Sequence, residues 1–168
     1  FDKVFDVPYP VVRVMPNTPV SIEQGVSAII GNSFSSLSQV NWTEKLFNNL
    51  GKTVILEKES QIDAVTAISG SGPAYIFNFA ETVIEIGKEL GLSEQISKKI
   101  VLQTIVGAGL LANDSDKSPS KLRENVTSPN GTTQAALNIL MDEKNGWHGI
   151  IKNAVFAAHK RSKILAKN

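Results

Sequence analysis

The stretch best equipped for chemistry is Val126-Thr127-Ser128-Pro129-Asn130-Gly131-Thr132-Thr133, a turn of hydroxyl, Pro and Gly residues feeding a helix. The first N–H groups of a helix have no partner inside it, and together with the helix dipole they attract anions. Gly131 lets a ligand approach the backbone, and Ser128 and Thr133 add hydroxyl donors. The stretch therefore reads as a cradle for a small carboxylate or phosphate. The other reading is a plain N-cap, the usual role of Ser or Thr ahead of a helix.

A second signal is Ser69-Gly70-Ser71-Gly72-Pro73. Two glycines between helices allow a close-packed corner. A phosphate loop would need Gly-x-Gly-x-x-Gly or a following Lys-Ser/Thr, and neither is present. A third is Met15-Pro16-Asn17-Thr18-Pro19 after a strand. Ligands of open α/β sheets lie beyond the carboxyl ends of strands. Asn17 and Thr18 can therefore meet a cofactor there, or the segment is a rigid Pro-bounded turn. Asp63, Glu81, Glu85 and Asp116 read as isolated acids, and no Ser–His–Asp set follows from the spacing. His148 and His159 are too far apart on one helix to grip one ion, so no metal site is expected.

These segments need elements to hold them. Three β-branched runs, Val11–Met15, Val26–Ile30 and Lys52–Glu57, predict strands, with a helix from Ser36 to Leu50 between the last two. Leu37, Val40, Leu46, Phe47 and Leu50 mark its apolar face, and Gly51 its stop. Three strands and one helix make a poor core alone and suit the end of a larger sheet. The remainder predicts helices over Asp63–Ser69, Ala74–Leu90 and Ser93–Asn113, then Pro119–Asn125, Thr132–Glu143 and Trp147–Lys167. Pro73 suits a first turn, Gly91 a helix stop and Ser93 an N-cap. After Lys99 the third of these helices is apolar almost all round, which predicts burial on every side. A partner chain can supply the missing side, and Gly107 and Gly109 admit a close backbone.

Composition narrows the classes. The 168 residues are 42% apolar and 20% charged, with a net charge of +1, ordinary for a globular chain and without a bias toward nucleic acid or an anionic membrane. There is no cysteine, which excludes disulfides, thiolate metal sites and cysteine catalysis and fits a reducing cytoplasm. No apolar run reaches the roughly 20 residues of a membrane helix. The start Phe1-Asp2-Lys3 has neither Met nor a signal-peptide pattern, and suggests a fragment.

Three stretches in this order resemble the pyrroline-5-carboxylate reductase family: Arg13 to Pro19, Asp63 to Tyr75 and Val126 to Thr133. The resemblance covers nearly the whole chain, and the second and third stretches are specific to the family. It implies a mainly α chain, with a C-terminal all-α dimerisation domain preceded by the last α/β portion of a Rossmann domain. Residues 1–57 would be the end of the NAD(P)-binding Rossmann domain, its glycine-rich loop absent, and residues 58–168 the helical dimerisation and substrate-binding domain.

The implied activity is reduction of 1-pyrroline-5-carboxylate to L-proline with NADP or NAD, in a cytoplasmic homodimer that can assemble into a larger ring. This chain would be inactive alone. Val126, Ser128, Asn130, Gly131, Thr132 and Thr133 would bind the substrate carboxylate, and Thr133 would face the ring nitrogen as the catalytic residue. Asp116 matches a family Glu facing the substrate, but is shorter. Asn17, Thr18 and Pro19 would meet the cofactor. Asn130 stands where a second Gly is typical and Ala136 where a small Gly often sits. Two further readings remain: a helical dimerisation module without catalysis, and a related two-domain NAD(P)-dependent reductase with another substrate.

Overall fold

A strand that must be buried on both faces organises the first part of the chain. The computed structural model describes residues 8–166. They fall into two compact units, residues 8–74 with 154–166, and residues 75–153.

In the first unit, β1 (Val12–Pro16), β2 (Gly25–Gly31) and β3 (Gly51–Ile55) form a sheet in that order. β1 runs antiparallel to β2, with Val14 opposite Ile29, and β2 runs parallel to β3, with Ala28 opposite Val54. Parallel neighbours need a crossover, and α1 (Leu37–Phe47) supplies it. The central strand β2 is near-continuously apolar and closed to solvent, and Ile29 is fully buried. Among the described residues no strand pairs the outer edge of β1.

Helix α1 starts where Ser36 and Gln39 form a reciprocal capping box. The Ser36 hydroxyl accepts from Gln39 N–H at 3.3 Å and the Gln39 side-chain Oε1 accepts from Ser36 N–H at 2.8 Å. The helix ends at Phe47 and a 3-10 turn, Asn48–Leu50, carries the chain to Gly51. Its expected apolar face is only partly used: Val40 is buried, while Leu37 and Leu46 are exposed. A three-stranded sheet has too little surface to cover the whole face.

Beyond β3 lies a short helix, α2 (Ile62–Val65), which runs into a π turn, Thr66–Gly70. The expected break at Gly70 is thus a widening of the helix, and α3 (Gly72–Glu89) begins at Gly72 with Pro73 in its first turn. The acid read as isolated at position 63 has a partner: the Ser162 hydroxyl donates to Asp63 at 2.6 Å. No sequence rule links residues 99 apart, and folding alone brings them together.

The second unit holds most of α3, then α4 (Glu94–Asp114), α5 (Pro119–Asn125), α6 (Thr132–Leu140) and the start of α7 (Trp147–Leu165). Gly91 ends the α3 segment with φ +92°, and Ser93 caps α4 by accepting from Ile96 N–H at 3.3 Å. Helix α6 stops at Leu140, three residues short of expectation, because the Asp142 carboxylate captures the N–H groups of Lys144 and Asn145 in a turn. The expected end of α7 at Lys167 lies outside the described residues.

Helices α3 and α4 meet at their smallest residues. A Cβ built on Gly87 would lie 2.6 Å from Ser97 Oγ, and both residues are buried. Phe79 and Trp147 pack edge to face with centroids 5.7 Å apart. The predicted all-round burial of α4 is not met within the chain, where only Ser97 and Val101 of this helix are buried. Leu102, Val106, Leu110 and Leu111 are 43%, 52%, 55% and 59% exposed. No helix is long and apolar enough to cross a membrane among the described residues.

Replacing Gly87 by Val should force α3 from α4 and cost about 1–3 kcal/mol in a denaturant titration. An unchanged midpoint would mean that the contact does not set the helix spacing.

Candidate functional site

The loop between α5 and α6 is built from its ends inward. Thr127 closes α5: its hydroxyl donates to Arg123 C=O at 2.7 Å and its N–H to Glu124 C=O at 3.0 Å. Ser128-Pro129-Asn130-Gly131 then forms a β-turn, with Gly131 N–H donating to Ser128 C=O at 3.1 Å. Pro at the second position and φ +60° at Asn130 give the pattern of a type II turn. Asn tolerates this left-handed conformation better than most residues, so the position manages without the second glycine.

Gly131 is the N-cap residue of α6, in extended conformation, and no side chain caps the helix. A Cβ at Gly131 would lie 2.3 Å from Ser128 Oγ, so glycine is what lets the Ser128 hydroxyl fold over the helix start. Ala135 N–H is the first to return to the turn, donating to Gly131 C=O at 3.1 Å. The N–H groups of Thr132, Thr133 and Gln134 therefore point out of the helix without a partner among the described residues. The plain N-cap reading of Ser128 does not hold, since its hydroxyl is not spent on the helix.

Thr133 is half-buried at this start, while Val126, Ser128, Asn130 and Thr132 are exposed. Three outward N–H groups, nearby hydroxyls and the positive end of a nine-residue helix can hold a carboxylate or phosphate oxygen. Asp116 is exposed in the loop between α4 and α5, and no hydrogen bond or ion pair among the described residues joins it to the turn.

A groove of about 520 Å³ runs along the flank of the same helices, lined by Arg123, Glu124, Thr127, Gln134, Leu137 and Asn138 with Met141. It touches the loop only through Thr127 and omits Ser128, Gly131 and Thr133. Arg123 and Gln134 carried no signal in the sequence, where each reads as a solvated helix position.

In the first unit, two of the singled-out motifs come together. Gly70 in the π turn faces Met15, whose terminal methyl lies 3.0 Å from where a Cβ would stand. The hydroxyls of the π turn are used internally: Thr66 donates to Ile62 C=O at 2.8 Å, Ser69 to Val65 C=O at 3.1 Å and Ser71 to Thr66 C=O at 3.2 Å. The packing-corner reading of Ser69 to Pro73 therefore fits better than a phosphate loop.

Asn17, which follows β1, receives Val26 N–H on its side-chain oxygen at 2.9 Å and so pins the start of β2. Its amide nitrogen has no partner among the described residues. Thr18 and Pro19 open a 3-10 turn, Thr18–Ile22, with Thr18 exposed. The rigid-turn reading of this segment fits, and it leaves one donor of Asn17 free. His148 and His159 both lie on α7, and no group of three or more acidic or histidine side chains could hold a metal ion among the described residues.

Comparison with known proteins bears on the whole chain. The family model described as pyrroline-5-carboxylate reductase dimerisation matches residues 59–165. A pyrroline-5-carboxylate reductase of Pseudomonas aeruginosa is 43% identical over 160 residues, which are 95% of this chain and 58% of that protein. Among solved structures, a pyrroline-5-carboxylate reductase from Coxiella burnetii superposes with a TM-score of 0.92 at 35% identity, covering 98% of this chain and 60% of the other. The Plasmodium falciparum pyrroline carboxylate reductase, solved with NADP bound, gives a TM-score of 0.87 at 36% identity, covering 97% of this chain and 64% of the other. The chain thus spans about three fifths of the length of these relatives.

The turn itself can be tested. Asn130→Gly should keep it, whereas Asn130→Val should lose about 1–2 kcal/mol of stability because a β-branched residue resists φ +60°. Equal unfolding midpoints for the two variants would rule out the left-handed turn.

Proposed function

The chain belongs to the pyrroline-5-carboxylate reductase family, through its dimerisation domain, and on that premise we propose that it is the C-terminal part of an NAD(P)H-dependent reductase that converts 1-pyrroline-5-carboxylate to L-proline. The observation that carries this reading is the uncapped start of α6, three outward N–H groups behind a turn built for close approach. A cyclic imino acid presents one carboxylate beside one ring nitrogen, and the cradle offers donors for both.

The residues divide the work as follows. N–H groups of Thr132, Thr133 and Gln134 hold the carboxylate, with the Ser128 hydroxyl folded over Gly131 as a further donor. Val126, Asn130 and Gly131 shape the turn that presents them. Thr133 turns its hydroxyl to the ring nitrogen. A threonine is a poor acid, so its role is orientation, and the nitrogen's proton comes from water or from an imine already protonated. Asp116 keeps an acid at the place of a family Glu, one methylene shorter.

At the carboxyl end of β1, the free amide nitrogen of Asn17, the exposed Thr18 and the half-buried Pro19 suit the carboxamide edge of a nicotinamide. The reduced dinucleotide, NADPH or NADH, would supply when bound a hydride for the imine carbon, and with the proton on nitrogen C=N would become CH–NH. Its main binding residues belong to the N-terminal domain of the complete protein.

Domain limits follow the same reading: residues 1–57 close the Rossmann domain, and residues 58–168 form the helical domain, in accord with a family match that begins at residue 59. The helical domain makes a homodimer, of which a larger ring is the next level of assembly, and the cytoplasm is the compartment that goes with it. The uncovered face of α4 supports the dimer. Burying the exposed parts of Leu102, Val106, Leu110 and Leu111 is worth roughly 3–6 kcal/mol.

The complete protein should oxidise NADPH in the presence of 1-pyrroline-5-carboxylate, and this chain alone should not. In the complete protein, Thr133→Ala and Ser128→Ala should each lower kcat/KM about tenfold to a hundredfold, the loss of a hydrogen bond to a charged group. Wild-type kinetics in both variants would remove the cradle assignment, and turnover of a different imine would move the reading to a related reductase.

In equilibrium sedimentation at micromolar concentration the chain should be a dimer, and Val106→Glu a monomer. A wild-type monomer would sink the dimer.

A further inference from the structure

We infer that Asp63 and Ser162 are a positioning pair that holds the π turn against the cofactor end of the sheet. The inference deepens the function proposed above and rests on it. Both residues are half-buried, and the hydroxyl-to-carboxylate bond of 2.6 Å is short, as charge assistance makes it. It joins the last turns of α7 to α2 within one compact unit.

The π turn that follows α2 needs such an anchor. A π turn is wider than an α-helix and is rare, and it persists only where its surroundings hold it. Inside, the hydroxyls of Thr66, Ser69 and Ser71 donate to the carbonyls of Ile62, Val65 and Thr66, and Ser71 N–H donates to Thr66 C=O at 2.9 Å. Those bonds keep the turn's shape but not its place. Its place depends on buried Ile62 and Ala67, on Met15 beneath Gly70, and on the tie from Asp63 to Ser162.

Met15 is two residues from Asn17. A shift of the π turn is therefore felt where Asn17 and Thr18 are proposed to meet the nicotinamide. Neither member of the pair touches a reacting atom. Asp63 heads the motif that runs to Tyr75, and the pair gives that motif's first residue a task its neighbours do not share.

The experiment uses the complete protein with Ser162→Ala, Ser162→Thr and Asp63→Asn. Three quantities are read: NADPH affinity by fluorescence titration, the KM for the imine, and the melting temperature. Ser162→Ala should weaken NADPH binding about threefold to tenfold, leave the imine KM unchanged, and be rescued by Ser162→Thr, which restores the hydroxyl. A lowered melting temperature with unchanged NADPH affinity would reduce the pair to a structural tie and overturn the inference. So would a loss confined to the imine KM. If Asp63→Asn does not fold, the comparison of Ser162→Ala with Ser162→Thr decides alone. A wild-type protein that binds NADPH but does not turn over the imine would refute the reductase reading while the affinity test of the pair still stands. A wild-type protein that binds no dinucleotide would end both.

Discussion

Helix α4 carries more apolar surface than its own chain can cover, and the second unit is organised around that excess. Where the helix is covered, it is covered closely: Gly87 of α3 lets the Ser97 side chain reach the neighbouring backbone, and Val101 is buried one turn further on. Beyond Val101 no residue of the helix is buried among the described residues. A unit of this size has too little interior to enclose a 21-residue helix, because surface outgrows volume in small domains. The exposed apolar side chains of α3, including Ile76, Phe77 and Ile86, extend the same problem to its neighbour. A second copy would solve it by supplying equivalent surface, so the proposed dimer and the fold of the helical domain share one physical rationale.

Two backbone irregularities, one in each unit, spend their hydroxyls differently. Around the π turn, Thr66, Ser69 and Ser71 return their hydroxyls to carbonyls four or five residues back, so the segment is satisfied locally and is fitted for packing. In the turn before α6, the Ser128 hydroxyl does not cap the helix and the first N–H groups stay open. An internally satisfied turn makes a corner. A turn with outward donors makes a site, since an anion recovers there the bonds that the helix start lacks. That contrast separates two motifs of similar composition, both rich in Ser, Gly and Pro.

Much of the fold was legible along the chain because the signals are local. Ser93, Pro73 and Gly91 mark helix ends by chemistry that operates within four residues, and all three act as read. The β-branched run of β2 was legible as a strand, and the structure adds that it is closed to solvent. Asn130 could be foreseen to accept a left-handed turn. Readings that depended on what lies opposite fared less well. Leu37 and Leu46 repeat with helical spacing yet face solvent, and α4 is open where its composition asked for burial.

By itself, then, the sequence determined the element order, the helix caps and the composition of the three motifs, because these follow from backbone geometry and short-range hydrogen bonding. Only the tertiary structure decided which donors are free and which are spent. It paired Asp63 with Ser162 across 99 residues, seated Met15 under Gly70, committed the Asn17 oxygen to Val26, and left the α6 N–H groups open. The physical reason is that a side chain's availability depends on neighbours distant in sequence, and no local rule carries that information.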